Sequence, residues 1–541
     1  MRQARDAQLG LILASLRIHR FRHDVVLWAI SIAAVVGFAV TLDRIPISVS
    51  DGPFYASIAR SVQLHNEGMP TILDQPDPFD HTKFYGPVFF RVVAVAFQLF
   101  GFSDRVFRAV SLLGALLIAL GGLAMAVAFG GDRDRRAWVV VLLLLSPELG
   151  LTATLGRMDP LAVGLEILGL AVFTRGLARP GRPWLHGLGA STLFAAAALT
   201  TPRTFPFLLA VLVAIIAVLP HLSGDDSRSA RRQAAIAVAT FLAIGLGWTI
   251  VAVNGPLYWF RMMAYVATHE DTDVALIGPR FPIFTWWRAM TLAFVVPASL
   301  VAARQLRGWA PAQSAAAFAL VAGWTTLVIT FTVFNYMFVF GTYAVLPLFA
   351  VALAVPISPS VLTRRTLALA AVVALCAFGG LRAAKYARGA ATWTGRDPEP
   401  LRAFIASHVP AGSTVVGMEQ MYYFAVERAG SRYLTSDTVS WADWTRWIPA
   451  IEHRPPGAVR MPRGDFLVWP APGERYYEFP SYLECARSHR VATFRPPPPD
   501  WPSLLMFSND DHVVDYPESD LFRLSEACPP RAAETDEAPP Y

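Results

Sequence analysis

Residues 48–101 read SVSDGPFYASIARSVQLHNEGMPTILDQPDPFDHTKFYGPVFFRVVAVAFQLFG and lie between two long apolar stretches. The segment is too polar to cross a bilayer, because acids, histidines and a lysine are spread along it. Asp51 and Pro53 fit a helix N-terminus, with an acid as cap and proline in the first turn. Val88–Phe100 is a second apolar run, interrupted by Arg91 and too short to span a membrane. We predict two helices lying on the membrane surface, joined by a polar loop.

The composition indicates that the rest of the chain is embedded in lipid. Of 541 residues, 54% are hydrophobic and 16% are charged, whereas soluble domains carry about a quarter charged residues. A transmembrane helix takes about 20 apolar residues, because unpaired backbone polar groups are costly in lipid. We predict an all-α polytopic membrane domain over residues 25–388, with an outer loop at 43–103. Its eleven candidate transmembrane helices are 25–42, 104–129, 137–154, 160–177, 185–200, 204–220, 233–253, 285–303, 313–333, 337–357 and 366–384.

The arginines predict which side of the membrane each loop faces. They cluster at the N-terminus and then in alternate loops of the predicted bundle. Basic loops stay in the cytoplasm, so the loop at 48–101, the segments 157–159, 200–203 and 254–285, and everything after about residue 384 are predicted to lie outside. The basic clusters are Arg2–Arg22, Arg133–Arg136, Arg175–Arg182, Arg228–Arg232, Arg304–Arg307 and Arg364–Arg365.

Residues 1–24 form a basic N-terminus that has the charge of a signal peptide. No convincing small-residue cleavage site follows the first apolar stretch, so we predict an uncleaved anchor in the cell membrane with a cytoplasmic N-terminus. The net charge of +6 comes mostly from the cytoplasmic arginines. It favours contact with anionic lipids and gives no indication of nucleic-acid binding.

The chain changes character after its last apolar stretch. Residues 389–528 mix charges and aromatics with short alternating runs such as Thr414–Gly417 and Asp465–Trp469. This pattern predicts a small extracytoplasmic α/β domain. Residues 529–541 are acidic and rich in proline, which is typical of a disordered tail.

Metal sites and disulfides are weakly indicated. The sequence has no CxxC and no HExxH motif, and we predict no certain cofactor. The acidic cluster from His269 to Asp273 could hold a divalent cation, although a solvated loop is the simpler interpretation. Cys485 and Cys528 are the two cysteines of the predicted α/β domain, and a disulfide between them is left open.

Charged residues stand at the predicted outer ends of several helices, where they are candidates for function. Each has a structural alternative. Asp51 and Asp159 would simply cap helices. Lys83 would be a solvated loop lysine. Arg203 would extend along a helix end towards water.

Three segments, taken together, resemble a known family. Asp51–Arg60 fits the pattern D-x-x-x-Y-x-x-x-A-R, Lys83–Phe90 is a lysine-and-proline segment, and Arg157–Asp159 supplies R-x-D at the start of a later helix. Their order and sidedness resemble the GT-C glycosyltransferases of the protein O-mannosyltransferase and lipid A aminoarabinose transferase type. The resemblance covers roughly the first half of the chain, and the later part matches in architecture only.

The sequence departs from the family pattern at three positions. Gly52 stands where the family has the second acid of a pair. The family's Lys-Pro-Pro motif is loosened to the segment Lys83–Pro87, and a lysine often found between the fifth and sixth helices is replaced here by Arg203. These departures leave the sugar and the acceptor open.

The resemblance implies transfer of one hexose or pentose from a polyprenyl phosphate to a hydroxyl, with inversion, outside the membrane. Such a reaction needs one carboxylate as base and cations on the leaving phosphate. Asp51 is then the candidate base, and Asp159 is a second catalytic carboxylate or a group that orients Arg157 or the sugar. The candidate phosphate contacts are Lys83, Arg157 and Arg203, and the candidate substrate contacts are Tyr55, Tyr85 and His269.

The main alternative is a transporter or flippase of lipid-linked sugars. Transporters place their ion and substrate sites near the bilayer midplane, whereas the charges here cluster at helix ends, which favours an enzyme. A third interpretation is an inactive scaffold, because the family's second acid is missing at Gly52. The acceptor, whether lipid, glycan or protein, is left open.

Overall fold

The computed structural model describes most of the membrane domain and part of the C-terminal region. The described residues are 24–44, 51–72, 80–128, 133–146, 149, 153–154, 156–179, 181–201, 204–221, 224–261, 296, 300, 311–332, 361–391, 393–417, 421–435, 464–470, 489–497 and 518–524.

Helices account for the N-terminal three quarters of the described chain. We number the main ones in chain order. They are α1 (Asp24–Val40), α2 (Asp51–His65), α3 (His81–Tyr85), α4 (Pro87–Phe100), α5 (Asp104–Ala128), α6 (Arg133–Leu145), α7 (Asp159–Ala178), α8 (Pro183–Ala198), α9 (Phe205–Val218), α10 (Gly224–Ala252), α11 (Pro311–Thr332), α12 (Val361–Ala391), α13 (Pro398–His408) and α14 (Tyr422–Val426).

Helices are present at nine of the eleven predicted transmembrane positions. The spans predicted at 285–303 and 337–357 lie almost wholly outside the described residues, so the count of eleven stays a prediction. Within the described residues, three helices are long and apolar enough to cross a bilayer, and shorter apolar helices occupy further predicted positions. The three are Asp104–Ala128, Asp159–Ala178 and Ser227–Ala252.

The boundary predicted for the third span is wrong. We predicted a helix over 137–154, and the structure ends α6 at Leu145. The sequence continues with Ser146 and then Pro147. A residue before proline is pushed away from helical backbone geometry, because the proline ring clashes with it.

The closest pairing of long helices is α5 against α7. A Cβ atom at Gly114 would lie 2.3 Å from the backbone nitrogen of Leu161. Only a glycine permits this approach, and small residues are the usual means by which helices pack closely in membranes. The start of α7 is therefore fixed against the N-terminal half of α5.

Two helices of the loop after α1 appear where the sequence predicted them. α2 and α4 pack on each other, and their apolar faces join one hydrophobic cluster. Leu99 and Phe100, at the end of α4, are exposed, which suits a helix end in contact with lipid. The short helix α3 between them was not predicted.

In the described part of the C-terminal region, five strands form a mixed sheet. Its strands are β1 (Thr414–Gly417), β2 (Arg432–Thr435), β3 (Phe466–Pro470), β4 (Arg490–Phe494) and β5 (Ser519–Arg523). The order is β2-β1-β3-β5-β4, with β1 parallel to both neighbours and β5 antiparallel to both of its own. The predicted α/β character is confirmed, while the predicted domain boundaries stay predictions. Cys485 and Cys528 lie outside the described residues.

The sheet shares a hydrophobic cluster with the helices of the first loop. Phe466 and Val468 of β3 belong to the same hydrophobic cluster as α2 and α4, whereas Leu467 and Trp469 belong to a cluster on the other face. This is the alternation expected of a strand. Residues on both faces of β3 are thus buried, and those on one face belong to the cluster that also includes residues of α2 and α4.

Candidate active site

Arg157 and Asp159 form a buried ion pair at the start of α7. The guanidinium Nε of Arg157 donates to Oδ2 of Asp159 at 3.0 Å, and the two side chains are only 8% and 3% exposed. α7 begins at Asp159, and its N-cap residue is Met158. Asp159 is therefore engaged by an arginine and is not the cap residue that the structural alternative required.

Polar side chains of α5 hold the backbone that leads into this pair. The Ser111 hydroxyl donates to the carbonyl oxygen of Arg157 at 2.7 Å, and Nη1 of Arg108 donates to that of Thr154 at 3.2 Å. Nε of Arg108 also pairs with Oδ2 of Asp104, one turn earlier, at 2.8 Å. The segment before α7 is thus bound to α5 at two points.

Lys83 lies on the short helix α3. Asp80 is the N-cap of this helix, and its Oδ1 accepts a hydrogen bond from the Thr82 amide at 3.0 Å. Such a cap satisfies an amide that a five-residue helix otherwise leaves unpaired. Lys83 is half-buried, so it is not the fully solvated loop lysine that the structural alternative described.

The end of α3 is docked against the end of α8. Gly86 has φ +95°, and the amide of Val88, just after it, donates to the carbonyl oxygen of Leu199 at 3.0 Å. A Cβ atom at Gly86 would lie 2.1 Å from that same oxygen. The structure thus brings the Lys83 segment to the turn that begins at Thr200.

The turn after α8 carries Arg203 in the sequence. Arg203 lies outside the described residues, as does His269. Thr200, Thr201 and Thr204, which surround the turn, are buried. Contact of Arg203 and His269 with a substrate therefore stays a prediction.

Tyr55 and Tyr85 lie inside an aromatic cluster of the loop helices. Their rings meet edge to face with centroids 5.3 Å apart. Both side chains are buried, at 3% and 5% exposure. His81, fully buried, stacks on Tyr85 and meets Phe54 edge to face. These tyrosines hold α2 and α3 together, and a contact with sugar stays a prediction.

Asp51 is the first residue of α2, and nothing is described of its side chain. Phe54, at the start of α2, shares a hydrophobic cluster with Phe84 of α3 and with Met158 and Leu161 around the start of α7. Residues of α2, of α3 and of the start of α7, the elements that carry Asp51, Lys83 and Asp159, thus belong to one hydrophobic cluster. The position of the Asp51 carboxylate relative to the others stays a prediction.

Sequence reasoning missed the roles of Arg108, Asp104 and Ser111. The resemblance assigned no role to these three residues. An arginine within an apolar helix, four residues after an aspartate, is an available signal for a buried pair. Glu166, fully buried in α7, also escaped attention.

The C-terminal region covers the turn between α4 and α5. The ring of Phe102 in this turn lies 5.7 Å from that of Tyr422 and 5.5 Å from that of Tyr423, between centroids. Burial raises the pKa of Tyr423 well above its usual value, and the nearby Asp104 carboxylate raises it further. The same carboxylate is thus close both to α14 and to Arg108.

Within the part of the chain that the structure describes, no group of three or more His, Cys, Asp or Glu side chains could hold a metal ion. The predicted cation cluster from His269 to Asp273 lies outside that part. Divalent cation binding therefore stays untested by the geometry.

No protein-family model matches the sequence, and no curated protein matches it. Among solved structures, ArnT from Cupriavidus metallidurans is similar over 93% of this chain and 98% of the ArnT chain, with a TM-score of 0.56 and 15% identity. The same values hold for ArnT bound to undecaprenyl phosphate. The mycobacterial arabinofuranosyltransferase AftD is similar over 92% of this chain and 39% of AftD, with a TM-score of 0.46 and 15% identity. The likeness to ArnT confirms the predicted GT-C-type fold.

Proposed function

We propose that this chain is a cell-membrane glycosyltransferase that moves one sugar from a polyprenyl-phosphate donor to an acceptor hydroxyl on the outer face. The fold it shares with ArnT supports the proposal, and ArnT has been solved with undecaprenyl phosphate bound. Helices long and apolar enough to cross a bilayer support the membrane location. The proposed topology keeps the predicted cytoplasmic N-terminus and extracytoplasmic C-terminal region.

The observation that carries the proposal is the buried Arg157–Asp159 pair at the start of α7. Ionic groups in a membrane protein are costly to bury, so those that persist are usually functional. We propose that the pair faces the same site as Asp51 and Lys83. In support, residues of α2, α3 and the start of α7, among them Phe54, Phe84 and Met158, belong to one hydrophobic cluster. Two acids and two cations, gathered in one site as proposed, are the groups that a displacement at a sugar phosphate requires.

In the proposed reaction, the acceptor oxygen attacks the anomeric carbon of the donor. The bond from that carbon to the phosphate oxygen breaks, and polyprenyl phosphate leaves with the bonding electrons. The Asp51 carboxylate takes the proton of the acceptor hydroxyl. Attack opposite the leaving group inverts the configuration at the anomeric carbon.

The cations stabilise charge on the leaving phosphate. Arg157, Lys83 and Arg203 are proposed to contact its oxygens, and an arginine does so with two parallel N–H groups. Asp159 orients the Arg157 guanidinium through the bond at 3.0 Å. Its charge also favours the positive character that the sugar ring develops in the transition state.

The remaining roles concern the substrate. Tyr55, Tyr85 and His269 are proposed to contact the sugar or the acceptor, which is a lipid, a glycan or a protein. Because Tyr55 and Tyr85 are buried among the loop helices, their proposed role is to line one side of the site and define its shape.

A panel of donors tests the proposal. The purified protein in detergent is incubated with polyprenyl phosphates that carry different hexoses and pentoses, together with lipid, glycan and peptide acceptors. We expect one donor to lose its sugar to an acceptor and to leave free polyprenyl phosphate. If no donor is consumed while vesicles show the intact lipid-linked sugar crossing the bilayer, the chain is a flippase and the proposal is wrong.

A further inference from the structure

We infer that Ser111 and Arg108 of α5 are positioning residues that aim the Arg157–Asp159 pair at the donor phosphate. This inference rests on the proposed glycosyl transfer and adds to it two residues that the resemblance left without a role. Neither residue is proposed to touch substrate. Both act through the backbone that precedes α7.

The two side chains reach this backbone from one face of α5. Residues three apart on a helix lie on the same face, and Arg108 and Ser111 have that spacing. Nη1 of Arg108 donates to the Thr154 carbonyl at 3.2 Å, and the Ser111 hydroxyl donates to the Arg157 carbonyl at 2.7 Å. The segment from Thr154 to Arg157 is thus held near both of its ends.

Arg108 is itself fixed from three directions. Its Nε pairs with Asp104 Oδ2 at 2.8 Å, and Nη1 also donates to the Leu42 carbonyl, beyond the end of α1, at 3.2 Å. The side chain is 1% exposed. A buried guanidinium that is balanced by a carboxylate and bound to carbonyl oxygens has little freedom to move. Arg108 therefore ties the segment before α7 to both α1 and α5.

The middle of the segment cannot shift easily. Gly156 has φ +70°, and a Cβ atom there would lie 2.5 Å from the Phe107 ring. The backbone lies directly against α5 at this point, so it cannot move closer. Together with the two hydrogen bonds, this contact sets the direction in which Arg157 leaves the backbone.

Orientation of Arg157 matters most in the transition state. The phosphate gains negative charge as the sugar leaves, so a well-aimed guanidinium stabilises the transition state more than the bound donor. Misplacement by about 1 Å can cost up to about 100-fold in rate. Loss of positioning should therefore lower kcat and leave the KM of the donor nearly unchanged.

Ser111→Ala tests the inference, with Ser191→Ala as its matched control. Ser191 is also a buried serine of a long helix, but its hydroxyl bonds to Leu188 within α8. We expect S111A to lower kcat about tenfold, with a donor KM and melting temperature close to those of S191A. Kinetics of S111A that match S191A would overturn the inference.

A second pair of variants separates positioning from general support of the fold. If Ser111 acts through Arg157, S111A should lower kcat much less in an Arg157→Lys background than in the wild type, because the group it positions has changed. An equal loss in both backgrounds would show a structural role only and would overturn the inference.

The outcomes also separate the inference from the proposed function. A wild-type protein that transfers sugar, together with a silent S111A, overturns the positioning role alone. A wild-type protein that transfers no sugar from any donor overturns both. Arg108→Lys adds a check, because a lysine keeps the charge beside Asp104 but lacks the guanidinium fork. We expect its kcat to fall at least as far as that of S111A, and a wild-type kcat would overturn the role of Arg108.

Discussion

The Asp159 carboxylate and the Arg157 guanidinium form an ion pair, and both side chains are buried. Removing one member of a buried ion pair leaves an uncompensated charge, which costs about 3–5 kcal/mol. An exposed pair is worth at most about 1 kcal/mol. Because the pair is buried, we can predict how its loss affects the free energy of unfolding, whatever reaction the protein catalyses.

Asp159→Ala should destabilise the protein by about 3–5 kcal/mol. The matched control is Glu518→Ala, which removes a partner of Arg495 from an ion pair whose side chains are 80% and 41% exposed. We expect the control to cost at most about 1 kcal/mol. Unfolding in detergent measures both, and equal losses would contradict the burial of the Arg157–Asp159 pair.

Asp51→Asn should abolish sugar transfer while the protein still folds and inserts. An amide cannot accept the proton of the acceptor hydroxyl, although it keeps the shape of the side chain. Glu67→Gln is the control, because Glu67 is an exposed acid in the same loop, and it should leave transfer unchanged. Transfer by D51N near the wild-type rate would remove Asp51 as the base.

At the scale of elements, the docking of α3 on the end of α8 determines where Lys83 lies. Gly86→Ala should lower transfer strongly, because the new Cβ atom would meet the Leu199 carbonyl at 2.1 Å. Gly101→Ala is the matched control: Gly101 has a similar positive φ of +87° but no atom within 4 Å of its Cβ position.

Both glycine variants carry about 1–3 kcal/mol of backbone strain, and only G86A should also displace α3. Transfer assays at equal amounts of folded protein measure the difference. Equal activity of the two variants would contradict a role for the docked segment.

Helices and strands that depend on nearby residues alone could be predicted from the sequence. α2 was predicted from the start signals Asp51 and Pro53, α4 from the apolar run Val88–Phe100, and β1 from an alternating run. α3 was not predicted, because five residues with Lys83 in the middle become a helix only through the Asp80 cap and the docking of Gly86 on α8. The order of the sheet likewise depends on pairing between distant segments.

The sequence predicted which residues belong to the candidate site, but it indicated little about how they are arranged in space. Arg157 and Asp159 stood out in the sequence because charges at a membrane boundary are unusual. Asp159 was predicted to be a second catalytic carboxylate, to orient Arg157 or the sugar, or simply to cap a helix, and the structure pairs it with Arg157. Arg108 and Ser111 were missed, because one residue on a long apolar helix does not reveal which backbone it meets.

At the scale of the molecule, the C-terminal region is joined to the end of α1. Arg44 pairs with Asp397 at 3.2 Å, and its guanidinium lies 4.3 Å from the centre of the Trp393 ring. Arg396, fully buried, donates back to the carbonyl of Arg44 at 3.3 Å. The C-terminal region must therefore lie on the same side of the membrane as the end of α1.

Reporter fusions test this sidedness. Alkaline phosphatase fused after Arg388 should be active, because the predicted topology places this point outside the cytoplasm. The matched fusion after Gly181, between α7 and α8, should be inactive, because that loop carries the cytoplasmic arginines. Activity in the reverse order would overturn the predicted topology.

The measurement that tests the central claim most directly is the fate of the donor and the configuration of the product. Purified protein is given a polyprenyl-phosphate sugar of known anomeric configuration, and the products are identified by mass spectrometry and NMR. The proposed single displacement predicts free polyprenyl phosphate and a glycosylated acceptor with the opposite anomeric configuration. A donor recovered intact after crossing the bilayer, or a product with retained configuration, would contradict it.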